Sequence, residues 1–311
     1  MSAVLSTATA PAQAYAALAE PRFELIPIKG MLEQAAALPP GSRVSVTCSP
    51  KLGLERTLET AIALRERGFQ VVPHLAARLV QDHGHLAELL ERLAQAGLAE
   101  VFLVGGDSPQ PAGKFAEVLS LLEAMDDTDH RPARIGVTCY PEGHASIPAQ
   151  VLSAALGAKA RHADYMVSQL CFESGPILEW LAATRAGGVG LPLYVGLPGV
   201  MDARRLWSIA LQIGLGTSTR VLRRNSSILG RLLGPEYRPD ELIWELAEPL
   251  GEPRLGFAGF HLNTFNQVRA LEQWRTAMLA QLRGWYGDPV LETQAPPEPM
   301  PVLAAQPSPP A

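Results

Sequence analysis

The chain has 311 residues, 26 Lys and Arg against 31 Asp and Glu, and a net charge of −5, with 47% hydrophobic and 18% charged residues. That apolar share supports a large core, and the mild acidity, with a pI near 5.8, argues against a nucleic-acid or anionic-membrane partner. No apolar run approaches the roughly 18 residues of a membrane-spanning helix. The three cysteines, Cys48, Cys139 and Cys171, are too far apart to form a CxxC pair, so neither a disulfide framework nor a metal site is expected. These features read as a reduced, cytoplasmic protein.

Residues 1–20 are Ala-rich and open without the basic start of a secretory signal, so they are expected to form a flexible arm, with a short helix in it left open. From residue 21 to 287 short apolar or β-branched runs alternate with stretches of helical period. The expected strands are Phe23–Ile28, Arg43–Ser49, Val71–Ala76, Val101–Gly106, Ile135–Tyr140, Tyr165–Phe172, Leu191–Leu197 and Gly256–Thr264. Continuously apolar runs of this length suit a parallel sheet covered by helices. Between them, Leu54–Arg67 and His85–Ala96 each place their leucines on one face, and Ala203–Leu215 and Asp240–Leu250 read as extra helices before the last strand. Eight such units match an α/β protein of the (β/α)8 TIM-barrel class better than a doubly wound sheet, and no Gly-x-Gly-x-x-Gly follows the first strand. Residues 288–311 hold 8 of the chain's 27 prolines without amphipathic period and are expected to be a disordered tail.

In such a barrel the active site forms at the C-terminal ends of the strands. There the sequence places Glu24, then Thr47 with Cys48 and Ser49, His74, Gly105-Gly106-Asp107, Tyr140-Pro141-Glu142-Gly143-His144, Gln169, and His261 with Asn263 and Asn266. A carboxylate inside an apolar strand is costly unless it has a task, and burial is expected to raise the Glu24 pKa, as suits a general acid. The others have plainer alternatives: Asp107 as a helix cap, His74 as a core histidine, Gln169 and His261 as bonds between strands. Taken alone, this chemistry says acid-assisted work on a small polar molecule.

Together these segments resemble the methylenetetrahydrofolate reductase family from about Phe23 to Asn266. Phe23-Glu24-Leu25-Ile26-Pro27 is similar to the family's F-E-x-x-P-P opening, Val46-Thr47 to its V-T, and Pro73-His74-Leu75 to its P-H-L. Gly106-Asp107-Ser108-Pro109 resembles the end of R-G-D-x-P, Tyr140–His144 resembles Y-P-E-x-H, Ala163–Gln169 resembles A-D-f-x-x-T-Q, and Gly259–Asn266 resembles G-x-H-F-Y-T-L-N. The resemblance implies a flavoprotein of one-carbon metabolism and methionine biosynthesis. Such an enzyme holds FAD and uses NADH or NADPH to reduce 5,10-methylenetetrahydrofolate to 5-methyltetrahydrofolate. It implies Glu24 and Asp107 as catalytic residues, and Gln169, Asp107 and His261 as contacts to the folate. It further implies that Thr47, His74, Gly106, Asp107, Tyr140, His144 and Lys159 bind the cofactor.

Some positions depart from the family pattern. Gly105 stands in place of the Arg of R-G-D, and Ser153–Lys159 keeps Ser153 and Lys159 but lacks the family's Asp and Arg for the flavin phosphates. Three alternatives therefore stand beside the flavin-dependent reductase: direct hydride transfer from NADH to the same folate, reversed physiological direction, and a non-catalytic folate-binding subunit. A homo-oligomer is compatible with any of them.

Overall fold

The computed structural model describes residues 10–212 and 236–286. Eight parallel strands close into a barrel: β1 (Arg22–Leu25), β2 (Arg43–Val46), β3 (Gln70–Ala76), β4 (Glu100–Val104), β5 (Arg134–Cys139), β6 (Tyr165–Ser168), β7 (Leu193–Pro198) and the last strand, β10 (Phe257–Asn263). Closure is made by β1 pairing β10, with Arg22 opposite His261 and Glu24 opposite Asn263. Two further strands, β8 (Met201–Asp202) and β9 (Glu236–Tyr237), form a small antiparallel pair outside the barrel.

The outer layer is α1 (Ala10–Ala19), α2 (Met31–Ala35), α3 (Gly53–Glu66), α4 (His83–Gln95), α5 (Val118–Asp126), α6 (Ala149–Lys159), α7 (Ser174–Ala186), α8 (Ala203–Gln212), α9 (Asp240–Leu250) and α10 (Val268–Tyr286). Helices α8 and α9 are the expected extra helices before the last strand. The expected helix over Ala203–Leu215 ends, within the described residues, at Gln212. Among the described residues no helix is long and apolar enough to cross a membrane.

Strand alternation sorts side chains between two cores. Phe23 and Leu25, Val44 and Val46, Val101 and Leu103, and Phe260 and Leu262 face the helices in the main cluster. The opposite positions, Val72, Phe102, Tyr165, Val167 and Tyr194, fill the barrel interior. Gly136 on β5 is required there, because a Cβ at that position would stand 2.2 Å from Cζ of Tyr165.

At the barrel floor the Arg22 guanidinium lies 4.2 Å from the ring centroids of both Tyr165 and Tyr194 and pairs with Glu100 at 2.8 Å. One side chain thus ties β1, β4, β6 and β7 across the interior and seals the end opposite the site.

Two expectations are corrected. The N-terminal arm is in part a packed element: α1 buries Ala14 and Leu18, and Arg275 of α10 donates to the Leu18 and Ala19 carbonyls. Its small apolar residues let it lie close against the barrel. Residues 1–9 and the expected tail over 288–311 lie outside the described residues. Six of the eight barrel strands are also shorter than expected at their C-terminal ends: β6 stops at Ser168, although Leu170 and Phe172 are apolar. Those two leave the sheet to pack with Met201, Leu206 and Tyr237 in a satellite cluster over the barrel's top.

Candidate active site

Glu24, Thr47, His74, Gly106, Asp107, Tyr140, His144, Gln169 and His261 all line one cavity of about 490 Å³ at the C-terminal end of the strands. Nine of the ten residues expected at the site are thus gathered by the barrel from seven strands or the loops that follow them. Lys159 is the exception. Its Nζ donates to the Thr138 carbonyl at 3.1 Å from a buried position in α6, and burial lowers its pKa. The expectation that it grips a cofactor is not met: the ammonium is spent on closing its own helix against β5.

The innermost group is Glu24. The strand period puts it on the interior face with Arg22, two residues towards the floor, and its side chain is 21% exposed, towards the cavity. Oε2 of Glu24 lies 3.1 Å from Nε2 of His261 and 3.9 Å from Nε2 of His74. The backbone beneath it is pinned by Thr264, whose hydroxyl donates to the Glu24 carbonyl at 2.6 Å, and by Asn266, whose amide bonds both N–H and C=O of Ile26. Asn266 reaches them from a left-handed backbone with φ 60, a conformation asparagine tolerates. The sequence offered the Asn of the last motif as a signal, but not its partner 240 residues away.

The electrostatics reverse one expectation. Burial does push the Glu24 pKa up, but the hydrogen bond from His261 and the charges of His261 and His74 outweigh it, and the net direction is down. Glu24 therefore rests as a carboxylate. His74 moves the opposite way for a related reason: burial, its largest influence, lowers its pKa to about 4 despite the attraction of Glu24. It is neutral at physiological pH, and its Nε2 is buried without a hydrogen-bond partner among the described residues. Phe102, 4.8 Å from the His74 ring centroid, supplies the apolar wall.

The rim is built from loops. Asp107 is exposed and follows Gly106, whose φ of +90 and contact of 3.1 Å between a built Cβ and Ala76 leave room only for glycine. Asp107 does not cap the next helix, which starts eleven residues later at Val118, behind Glu117. Tyr140 meets His144 edge-on at 5.3 Å. Gln169 folds back on its own neighbour, accepting from the Leu170 N–H at 2.9 Å.

One further residue links two of these loops and was not singled out from sequence. Glu142 accepts from the Phe172 and Glu173 amides at 2.6 and 2.9 Å, bracing the loop of Tyr140 and His144 against the loop of Gln169. Burial, partly offset by these bonds, raises its pKa to about 7. A Glu between Tyr and His in a rim loop was the available signal.

Can this cavity hold a flavin nucleotide? Thr47, His74, Tyr140 and His144 offer a flat ring hydrogen-bonding and stacking surfaces. The pyrophosphate finds no partner: no Lys or Arg lines the cavity among the described residues, Lys159 is turned away, and α6 carries no charge before it. The described residues fit the ring and do not fit the phosphates of FAD.

A sequence model of a family described as methylenetetrahydrofolate reductase matches residues 32–215, more than half of the chain. Glu24 and His261 fall outside that segment and are brought to it by the β1–β10 closure. Among solved structures, an uncharacterized protein from Clostridium thermocellum that binds two copies of 5-methyl-5,6,7,8-tetrahydrofolic acid is 11% identical, with a TM-score of 0.56 over 85% of this chain and 93% of that one. Oxaloacetate acetylhydrolase in complex with 3,3-difluorooxalacetate is 14% identical, with a TM-score of 0.47 over 91% and 89% of the two chains. At such identities the first likeness shows a shared fold alone, and the family rests on the sequence match: this chain belongs to the methylenetetrahydrofolate reductase family.

Proposed function

We propose that this protein reduces 5,10-methylenetetrahydrofolate to 5-methyltetrahydrofolate with a hydride drawn from NADH or NADPH, Glu24 delivering the proton. The observation that carries this reading is the placement of Glu24 at the inner end of a cavity rimmed by Asp107 and Gln169, in a member of this family. The folate bound by the Clostridium thermocellum protein supports a folate occupant.

The product defines the proton's destination. A methylene bridge joins N5 and N10, and the product keeps its one-carbon unit on N5. The C–N10 bond therefore breaks, its electron pair stays on N10, and N10 takes a proton from Glu24. The N5 iminium left behind accepts the hydride at carbon, and the nicotinamide donor is oxidised. Asp107 and Gln169 orient the pterin, and the apolar wall of Phe102 keeps water from the iminium. A positioned acid contributes about 10²–10⁴-fold in rate.

A second reading, direct transfer from the nicotinamide without flavin, is favoured by the sequestered Lys159, the one charged residue of α6. Oxidation of NADH and NADPH by methylenetetrahydrofolate, measured with and without FAD after the protein has been incubated with FAD and desalted, tests both readings. Turnover that needs a retained flavin band supports the flavin route, and turnover by the colourless protein supports direct transfer. Glu24→Gln is expected to cut either by at least about 10²-fold. No oxidation under any of these conditions, with folate still bound, would leave a binding subunit.

A further inference from the structure

We propose that His261 is the proton-holding partner of Glu24, so that the acid of this site is a pair joined across the β1–β10 seam rather than a lone carboxyl. The inference rests on the folate-reductase reading above and deepens it. It begins from geometry. His261 is 3% exposed and presents Nε2 to Glu24 Oε2 at 3.1 Å, with the Ser45 hydroxyl at 3.5 Å from the same nitrogen. Its Nδ1 is buried without a hydrogen-bond partner among the described residues, so no acceptor behind the ring draws a proton from that nitrogen. The edge that exchanges protons is therefore the one that faces the carboxylate.

The two imidazoles near Glu24 do different work. His74 stands 3.9 Å away, outside hydrogen-bond range, and is neutral through physiological pH. It presents a polar edge to Glu24 and carries no proton for it. His261 is in bonding contact and can carry one. Other titratable groups face the pair from further out: Cys48, Asp107, Tyr140 and His144 line the same cavity, while Arg22 pairs with Glu100 below, beside Tyr165 and Tyr194.

Proton and electron accounts balance. Loaded, His261 is an imidazolium with both ring nitrogens protonated, and its Nε2–H donates to Oε2 of the Glu24 carboxylate. As the C–N10 bond breaks and its electrons remain on N10, the Nε2 proton passes to Oε2 and on to N10. Glu24 is left as carboxylate and His261 as neutral imidazole protonated at Nδ1, and Nε2 takes up the next proton from water through the cavity. Each turnover consumes one proton and one hydride, the hydride coming from the nicotinamide.

The test compares wild type, Glu24→Gln and His261→Gln as full-length proteins. Gln at 261 can still donate to Glu24 but cannot carry the proton. In His261→Gln, kcat for methylenetetrahydrofolate reduction at pH 7.5 is expected to fall about 10-fold or more, with KM for the folate within about threefold of wild type. The alkaline fall of the pH–rate profile is expected to move towards the carboxyl range. An unmoved profile with a raised KM would make His261 a folate contact only and overturn the proposal. Nitrogen-15 NMR of the histidines at pH 7.5 reads the pair without turnover: the His261 Nε2 resonance should move in Glu24→Gln, which takes the carboxylate from its hydrogen bond. An unchanged resonance overturns the pairing. If wild type reduces no folate while the NMR coupling is present, the functional reading has failed and the pair stands.

Discussion

At the scale of single residues, the site sets two buried titrations against each other. His74 is neutral in the folded protein, with its pKa lowered to about 4, whereas the unfolded chain protonates it near 6.5. The unfolded state therefore binds more protons as pH falls between those values, and the stability contributed above pH 6.5 is progressively lost. Glu142 is the reverse: raised to about 7 in the fold from 4.5 in the chain, it adds stability that is full at low pH and is lost as pH rises through 7. Each is worth about 3 kcal/mol across its window and the two oppose each other between pH 4.5 and 6.5. Urea unfolding at those two pH values is expected to show opposite slopes in the variants. Glu142→Gln, which keeps its acceptor oxygen, should lose about 2–3 kcal/mol on acidification relative to wild type, and His74→Gln should gain a similar amount. Curves parallel to wild type would refute the assignment.

At the scale of elements, all eight strands were legible because each is a short apolar run framed by a helical stretch. Their ends were not. Phe23–Ile28 and Tyr165–Phe172 read as longer strands because Ile26, Leu170 and Phe172 are apolar, yet in the fold they leave the sheet to build the rim and its satellite cluster. Helix α1 was hidden for the opposite reason: an Ala-rich run has little amphipathic contrast, and only the surfaces of α9 and α10 give it a buried side. Leu18, fully buried there, tests that packing. Leu18→Ala is expected to lower the unfolding free energy by about 2–5 kcal/mol. A loss below about 1 kcal/mol would return the segment to the status of a loose arm.

At the scale of the whole molecule, the barrel floor and the cavity are two ends of one interior column. Arg22 and Glu24 lie two residues apart on the interior face of β1; the first closes the floor between two tyrosines and the second faces the cavity. Arg22→Met should cost about 2–4 kcal/mol in equilibrium unfolding, because the half-buried Glu100 is left without its cation. Adding Glu100→Gln should recover part of that loss, which a purely steric role for Arg22 would not permit.

The sequence by itself determined the barrel class, and nine of the ten residues it singled out line one cavity. It could do so because strand period and chemistry-bearing side chains are local properties, and the C-terminal strand ends of a barrel always converge. Tertiary structure decided the rest. The Glu24 pKa depends on His261, which arrives from 237 residues away only when β10 closes the barrel, and that contact turned an expected rise into a fall. Lys159 kept the residue type expected of a phosphate contact but lost the direction, since which side of α6 faces the cavity is a matter of packing. Burial and long-range charge act between segments that only the closed barrel brings together.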